Sequence, residues 1–218
     1  PIAVVRYTVA IKHRTDNLAE KQACAAIGQC RLMMAYQKFF AEYNQIAAQV
    51  LMTKYTMFND DNTLNARNTF EELFKLDAIP VVNENDTVST DEIQFGDNDR
   101  LSALVSALVG ADLLILLSDI DGLFTDDPNI NPDARFIDIV PVITDEMRAM
   151  AKGASSNVGT GGMATKLAAG TIATDAGADM IIANSKDLNN ISRILAGEDV
   201  GTLFLAHKAA DFNLIDFL

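Results

Sequence analysis

The chain has 218 residues, of which 49% are hydrophobic and 22% are charged. This length and composition are typical of a globular protein with a buried core, and they exclude an intrinsically disordered chain. The formal net charge of −13 repels phosphate backbones and anionic lipids, so nucleic acid and membrane are not expected partners. No apolar run reaches the roughly 18–20 residues that span a bilayer, and no signal-peptide pattern opens the chain.

The two cysteines, Cys24 and Cys30, fall within one predicted helix. At this spacing they lie on different faces, so we predict neither a disulfide between them nor a metal site made by two thiols alone. We expect two buried free thiols, which fits a reducing cytoplasm.

Helical and strand patterns alternate along the first half of the chain. The first helix is expected to be capped by Thr15 or Asp16. Its apolar face is predicted at Ala23, Ala26, Ile27, Cys30, Met33 and Met34. A strand over Asn44–Met52, a helix over Asn65–Asp77 and a short buried strand "AIPVV" follow, and this last strand runs directly into Asn83.

The alternation continues through the second half. Asn98 or Asp99 is expected to cap a helix that Gly110 ends, and "ADLLILLSD" then reads as a buried strand. A short helix begins at Thr144, an alanine-rich helix closes at Gly177, and "ADMIIAN" is another buried strand. Strands that are apolar on both faces and alternate with helices predict a mostly parallel sheet between helices, within a single domain over residues 1–218.

Polar clusters follow three of the predicted strands. "NEND" at residues 83–86 follows "AIPVV", Ser118 and Asp119 end "LLILL", and Ala183–Ser185 ends "DMII". Ligands of such sheets bind beyond the carboxyl ends of the strands, which favours a binding crevice at these clusters. Asn, Asp and Gly are also ordinary turn residues, so plain turns are the alternative reading, including for "GDNDR" at residues 96–100.

The segment "GTGGMATK", residues 159–166, combines a glycine loop with the start of a helix. Backbone N–H groups of such a loop, the helix N-terminus and the Lys166 ammonium together favour a phosphate group. The alternative is a flexible loop with a solvated lysine. The dinucleotide fingerprint is excluded because no strand pattern precedes the glycines and Asn184 stands where an acidic residue is needed; the Walker pattern is absent.

Other chemical signals are weak. His13 and His207 lie near opposite ends of the chain without a neighbouring acid or thiol, so surface positions are expected for both. The sequence contains neither a nucleophile elbow nor the spacing of a metal site.

Several motifs, taken in order, closely resemble those of the glutamate 5-kinases of the amino acid kinase family. They are "LNARNT", "IPVVNENDTVST", "FGDNDRLSAL", "LLILLSDIDGLFTDDP", "GTGGMATK" and "VGTLF". The resemblance runs from about Asn17 to Phe204. It implies a three-layer α/β/α sandwich that uses ATP and Mg²⁺ to phosphorylate the γ-carboxylate of L-glutamate. The product would be L-glutamyl 5-phosphate, in the first step of proline biosynthesis.

The resemblance also assigns roles residue by residue. Asn83, Asp86 and Asn98 match substrate-binding positions. Lys166 matches a lysine that neutralises the migrating phosphoryl group, and Asp99 an aspartate that orients catalytic lysines. Nucleotide-binding positions are matched by Ser118, Asp119, Thr160, Gly161, Gly162, Met163, Ala164, Thr165 and Lys166. No metal-ligating side chain is assigned. Proline as a feedback inhibitor and a homo-oligomer are further expectations.

The chain departs from the family pattern at its start. Such kinases open with a strand and a K-x-G-[ST]-S turn, whereas residues 1–16 contain no glycine. A βαβ crossover takes about 30 residues or more, so we expect the front of the domain to be incomplete here, with breaks within residues 1–16, near 93–96 or near 155–159. The RNA-binding-type C-terminal domain of many members is not expected either. The alternatives are an aspartate or UMP kinase type, or a catalytically impaired amino-acid-binding or proline-sensing protein.

Overall fold

The computed structural model describes residues 17–89, 97–126, 128, 130–151 and 162–218. They divide into two compact units, Pro1–Phe95 and Gly96–Leu218, which are described separately. The segments for which chain breaks were expected lie outside the described residues. The prediction of a single domain stays a prediction.

In residues 17–89, the part of the first unit that the structure describes, there are two parallel strands and three helices. They are α1 (Leu18–Ala41), β1 (Ile46–Met52), α2 (Lys54–Phe58), α3 (Asp60–Lys75) and β2 (Ala78–Glu84). β1 and β2 pair in parallel, from Ile46 opposite Ala78 to Met52 opposite Glu84. β2 extends beyond "AIPVV", so Asn83 is part of the strand rather than its first following residue. The predicted helix over Asn65–Asp77 begins earlier, at Asp60, because Asn59 caps it by accepting from the Asn62 amide.

Helix α1 forms where the sequence predicts it, but its cap and its buried face differ from the prediction. Asn17 caps it, with Oδ1 accepting from the backbone N–H groups of Ala19 at 2.9 Å and Glu20 at 3.3 Å. The buried residues are Cys24, Ala25, Gly28 and Gln29. Small and apolar residues occur around most of this helix, so their period could not select the face. Cys24 is therefore a buried free thiol as expected, whereas Cys30 is an exposed one.

The described residues of the second unit form a four-stranded sheet with helices packed on it. Its elements are α4 (Asn98–Val109), β3 (Leu113–Ser118), β4 (Leu123–Phe124), β5 (Phe136–Ile137), β6 (Ile139–Val140), α5 (Asp145–Ala151), α6 (Met163–Ala176), β7 (Asp179–Asn184), α7 (Asn189–Leu195), β8 (Thr202–Phe204) and a 3₁₀ turn (Leu214–Phe217). The strand order is β3-β7-β8-β6; β3 pairs with β7 and β6 with β8 in parallel, whereas β7 and β8 are antiparallel. β4 and β5 form a separate antiparallel pair.

Helices α4 and α6 pack against each other, α4 also against β3 and α6 against β7. The interior is apolar, with Leu104, Leu167, Met180 and Phe204 fully buried. Gly170 lets α6 approach the sheet closely, because a Cβ there would lie 2.8 Å from the Met180 methyl carbon. This packing fixes the starts of α4 and α6, which carry the residues of greatest chemical interest. The prediction of a mostly parallel sheet flanked by helices is confirmed.

Two glycines before β8 have nearly the same left-handed backbone but different surroundings. A Cβ at Gly201 (φ +75) would lie 2.1 Å from the Ile182 carbonyl oxygen, whereas one at Gly197 (φ +79) would meet nothing within 4 Å. We expect Gly197→Ala to lower the free energy of unfolding by about 1 kcal/mol through backbone strain alone. Gly201→Ala should cost at least about 2 kcal/mol, because the β7–β8 contact must also shift. Urea unfolding of both variants tests this, and equal losses would contradict it.

Candidate active site

Asp97 is the N-cap of helix α4, and this leaves the carboxylate of Asp99 free for other contacts. Asp97, in extended backbone, caps the helix through Oδ1, which accepts from the Arg100 N–H at 2.7 Å. The prediction that Asn98 or Asp99 is the cap is wrong, because both lie in the first turn. Asn98 is exposed and Asp99 is half-buried. The Asp99 carboxylate is thus available to bind side chains.

Asp99 and Lys166, to which the family resemblance assigns related roles, form an ion pair. Lys166 Nζ lies 2.9 Å from Asp99 Oδ2, and the two side chains are only 9% and 20% exposed. The Thr165 hydroxyl donates to the same Asp99 oxygen at 3.0 Å. A lysine buried to this degree needs a counterion, and Asp99 supplies it while holding the ammonium in one place.

The start of α6 has the properties of an anion-binding helix end. Gly162 occupies the N-cap position. Because it has no side chain, it offers no side-chain acceptor to the first backbone N–H groups of the helix. Met163, Ala164 and Thr165 form the first turn directly before Lys166. Amide dipoles and a lysine at one helix end favour a phosphate group. Thr160 and Gly161, also predicted to bind nucleotide, lie outside the described residues.

Two of the predicted polar clusters meet at the carboxyl ends of β3 and β7. Ser118 lies opposite Asn184, and the Ser185 amide donates to the Ser118 carbonyl oxygen at 2.6 Å. Ser118 is buried and its hydroxyl donates to the exposed Asp119 at 3.1 Å. The adjacency expected of these two clusters is confirmed. The third cluster begins within the last two residues of β2, which among the described strands pairs with β1 alone.

The "NEND" cluster in the first unit is ordered by hydrogen bonds. Asn83 Nδ2 donates to Gln29 Oε1 at 3.0 Å, and Asn83 Oδ1 accepts from the Glu84 amide at 2.9 Å. The Asn85 amide donates to Met52 O at 2.7 Å, and Asn85 O accepts from Ser89 N at 3.0 Å. The segment is therefore a turn stabilised by hydrogen bonds, and for Asn85 the alternative prediction of a turn residue is correct.

Asp86 is, with Glu84, one of two carboxyl groups in this segment. It is half-buried, and this burial raises the pKa of its carboxyl above the ordinary value for aspartate. A partly desolvated carboxylate is a good partner for an ammonium group, because binding one offsets the cost of burying its charge.

Two residues that contact the segments described above, one in each unit, were not found from the sequence. Gln29 contacts Asn83, and Arg100 Nε donates to the Phe217 carbonyl oxygen at 3.0 Å, tying the start of α4 to the 3₁₀ turn. Both contacts join positions far apart in the chain. Gln29 belongs to no motif named above, and Arg100 belongs to "GDNDR", but that motif does not show that Phe217 is its partner. His207, predicted as a surface residue, has a side chain that is 36% exposed, and its Nε2 lies 2.8 Å from Asp175 Oδ1.

Within the part of the chain that the structure describes, no three His, Cys, Asp or Glu side chains are grouped to hold a metal ion. Among the same residues, no helix is long and apolar enough to cross a membrane.

Comparison with known proteins agrees with this architecture. Residues 4–184 match the profile of the amino acid kinase family, and the chain belongs to that family. Its relatives include two glutamate 5-kinases. That of Carboxydothermus hydrogenoformans is 54% identical over 200 residues, which are 92% of this chain and 54% of the relative. That of Clostridium perfringens is 50% identical over 202 residues, covering 91% of this chain and 75% of the relative.

The chain therefore spans about half of one relative and three quarters of the other. The resemblance to glutamate 5-kinases read from the motifs is confirmed.

Solved structures show the same fold at low identity. Isopentenyl phosphate kinase from T. acidophilum has a TM-score of 0.59 and 14% identity, and covers 88% of this chain and 73% of its own. UMP kinase from Ureaplasma parvum has a TM-score of 0.56 and 12% identity, with coverages of 93% and 76%. These likenesses confirm the predicted amino acid kinase fold.

Proposed function

We propose that the chain catalyses the ATP-dependent phosphorylation of the γ-carboxylate of L-glutamate, giving L-glutamyl 5-phosphate and ADP. This is the first step of proline biosynthesis. The observation that carries the proposal is the buried ion pair of Lys166 with Asp99. It lies at the start of α6, where Gly162 occupies the N-cap position. It occurs in a chain that shares about half of its residues with proteins named glutamate 5-kinase.

The chemistry needs charge stabilisation more than proton transfer. A glutamate side chain, with a pKa of about 4.3, is already ionised at neutral pH and needs no general base. One of its γ-oxygens forms a bond to the γ-phosphorus of ATP, and the bond from that phosphorus to the bridging oxygen of ADP breaks. Two anions must approach each other, so a fixed ammonium and oriented N–H groups stabilise the transition state.

Two side chains in the first turns of α6 and one in α4 have a part in this transfer. Lys166 neutralises charge on the moving phosphoryl group, and Asp99 keeps its ammonium in position. Thr165 donates to the same Asp99 oxygen and adds to that restraint. The catalytic residues proposed are thus Lys166, with Asp99 as its orienting partner.

ATP is proposed to bind without a Walker loop. The backbone N–H groups of residues 160–164 would hold its phosphates, and Ser118 and Asp119 would contact the nucleotide at the end of β3. Mg²⁺ is proposed to enter with the nucleotide, because this ion is commonly held by phosphate oxygens and water. It would neutralise phosphate charge. A complex with ADP more than about 6 Å from the α6 start, beyond hydrogen-bond reach, would contradict this assignment.

Asn83, Asp86 and Asn98 are proposed as the substrate-binding residues. Glutamate carries an α-ammonium and an α-carboxylate, which suit a carboxylate and amide groups respectively. Asp86 is the proposed partner of the ammonium, and its half-buried position supports that role.

A coupled assay of ADP release with glutamate, aspartate and UMP tests the proposed function, with hydroxylamine added to trap an acyl phosphate. We expect turnover and hydroxamate with glutamate alone. Turnover with aspartate or UMP instead would assign another kinase type. Glutamate binding by calorimetry without turnover would assign an amino-acid-binding protein. Proline inhibition, homo-oligomerisation and a cytoplasmic location remain predictions, and adding proline to the same assay tests the first.

Replacing Asp86 with asparagine is expected to raise KM for glutamate about tenfold or more, with a smaller effect on KM for ATP. A hydrogen bond between charged groups contributes about 1.5–3 kcal/mol, and the variant loses that charge. Asp77→Asn is a matched control, because Asp77 is exposed and asparagine tolerates its left-handed backbone (φ 55).

The same variant has a pH signature. Burial raises the pKa of Asp86, and the ionised form is the one that binds an ammonium. As pH falls through this raised pKa, KM for glutamate should therefore rise in the wild type and not in Asp86→Asn. An unchanged KM for glutamate in the variant would show that Asp86 is a turn residue without a role in substrate binding.

A further inference from the structure

Helix α1 presents two glutamines to the turn that carries Asp86. Gln22 and Gln29 are seven residues apart, about two helical turns, so they share one face. Gln29 is buried at 7% exposure, and Gln22 is half-buried. Both make side-chain hydrogen bonds to the segment Asn83–Ser89.

The Gln29 contact fixes the orientation of the Asn83 amide. Gln29 Oε1 accepts from Asn83 Nδ2 at 3.0 Å, while Asn83 Oδ1 accepts from the Glu84 amide at 2.9 Å. With one partner on each side, the amide plane of Asn83 is set, and one N–H and one lone pair remain for a ligand. An asparagine without these partners would rotate about its side-chain torsions.

Burial of the Gln29 side-chain amide costs folding free energy. Its Nε2 is buried and has no hydrogen-bond partner among the described residues. A methionine of similar shape would fill the position without burying an unpaired amide. The feature that accounts for an amide here is the acceptor that Oε1 offers to Asn83.

Gln22 holds the other end of the segment. Its Nε2 donates to the Ser89 carbonyl oxygen at 3.3 Å, and Ser89 is fully buried. The Ser89 hydroxyl donates to Glu84 at 3.4 Å, which closes the turn on itself. Asp86 therefore lies in a segment that α1 holds at both ends.

We infer that Gln29 is a positioning residue for glutamate recognition, acting through Asn83, and that Gln22 assists by holding Ser89. This inference rests on the proposed function. Gln29 acts on a residue proposed to bind substrate rather than to move the phosphoryl group. Its loss should weaken ground-state and transition-state binding equally, which raises KM and leaves kcat unchanged.

The test compares Gln29→Met with Gln37→Met, an exposed position on the same helix. Gln29→Met should raise KM for glutamate about five- to tenfold, the scale of one neutral hydrogen bond. KM for ATP, kcat and every constant of Gln37→Met should stay within about twofold. A fall in kcat with unchanged KM for glutamate would overturn the inference.

A double-mutant cycle separates positioning from general loss of structure. If Gln29 acts through Asn83, adding Gln29→Met to Asn83→Ala should change KM for glutamate by less than about twofold. Additive effects would contradict the inference. If Gln29→Met does not fold, Gln22→Met replaces it, because Gln22 is only half-buried. We then expect a smaller rise in KM for glutamate. An unchanged KM for glutamate would refute the inference.

An NMR measurement distinguishes failure of this inference from failure of the proposed function. In ¹⁵N-labelled wild-type protein the side-chain amide protons of Asn83 should exchange slowly with solvent, and in Gln29→Met faster. A wild type without glutamate kinase activity would refute the function alone. Equal exchange in both proteins would refute the positioning role whatever the activity.

Discussion

Lys166→Met is expected to lower kcat by at least about 100-fold while leaving KM for glutamate nearly unchanged. The loss corresponds to about 3 kcal/mol of barrier, the scale seen when one charge-stabilising donor is removed from an active site. The reason is geometric, because the ammonium is buried, fixed by Asp99 and placed one turn into a helix whose start favours phosphate. Steady-state kinetics with glutamate and ATP varied in turn measures both constants.

Lys208→Met is the matched control, since Lys208 is exposed in the same unit and lies outside the proposed site. It should leave kcat and both KM values within about twofold. A Lys166→Met enzyme with unchanged turnover and weakened glutamate binding would contradict the role given to Lys166.

Asp99→Asn is expected to impair both activity and stability. The variant leaves the Lys166 ammonium, whose side chain is 9% exposed, without its counterion. Removing one partner of a buried ion pair costs about 3 kcal/mol of unfolding free energy, because the other charge stays buried and uncompensated. Turnover should fall as well, since the ammonium is no longer held in one place. Urea unfolding and steady-state kinetics measure the two losses.

The double variant Asp99→Asn with Lys166→Met separates the two effects. With both charges removed, stability should exceed that of Asp99→Asn alone, because no unpaired charge remains. Activity should not return, since the catalytic ammonium is absent. A double variant whose stability losses simply add would show that the two side chains do not interact.

The ends of the helices show what a single sequence can specify. Gly110 and Gly177 end their helices as predicted, both in the left-handed conformation that glycine favours. The predicted caps of α1 and α4 lie one or two residues from the observed ones, because Asn17 and Asp97 have neighbours in the sequence that cap equally well. Local chemistry thus predicts that a cap exists more reliably than which neighbour provides it.

The candidate site was predictable to the extent that it is local in sequence. The adjacency of Ser118 and Asn184 follows from buried parallel strands, and the ion pair of Asp99 with Lys166 from the family resemblance. Gln29 and Arg100 were missed because each acts through a contact to a distant segment. The buried face of α1 was misplaced because small and apolar residues occur around most of the helix, and because the buried glutamine on that face is explained by its distant partner Asn83.

The proposed reaction requires that the γ-carboxylate of glutamate itself attacks the γ-phosphorus of ATP. Glutamate labelled with ¹⁸O in both γ-carboxylate oxygens, incubated with this chain, ATP and Mg²⁺, tests it directly. Hydroxylamine attacks the carbonyl carbon of an acyl phosphate and releases phosphate with the former bridging oxygen. We expect each released phosphate to carry one ¹⁸O atom, detected by mass spectrometry. Unlabelled phosphate would show that water, not glutamate, accepts the phosphoryl group, and would contradict the proposed reaction.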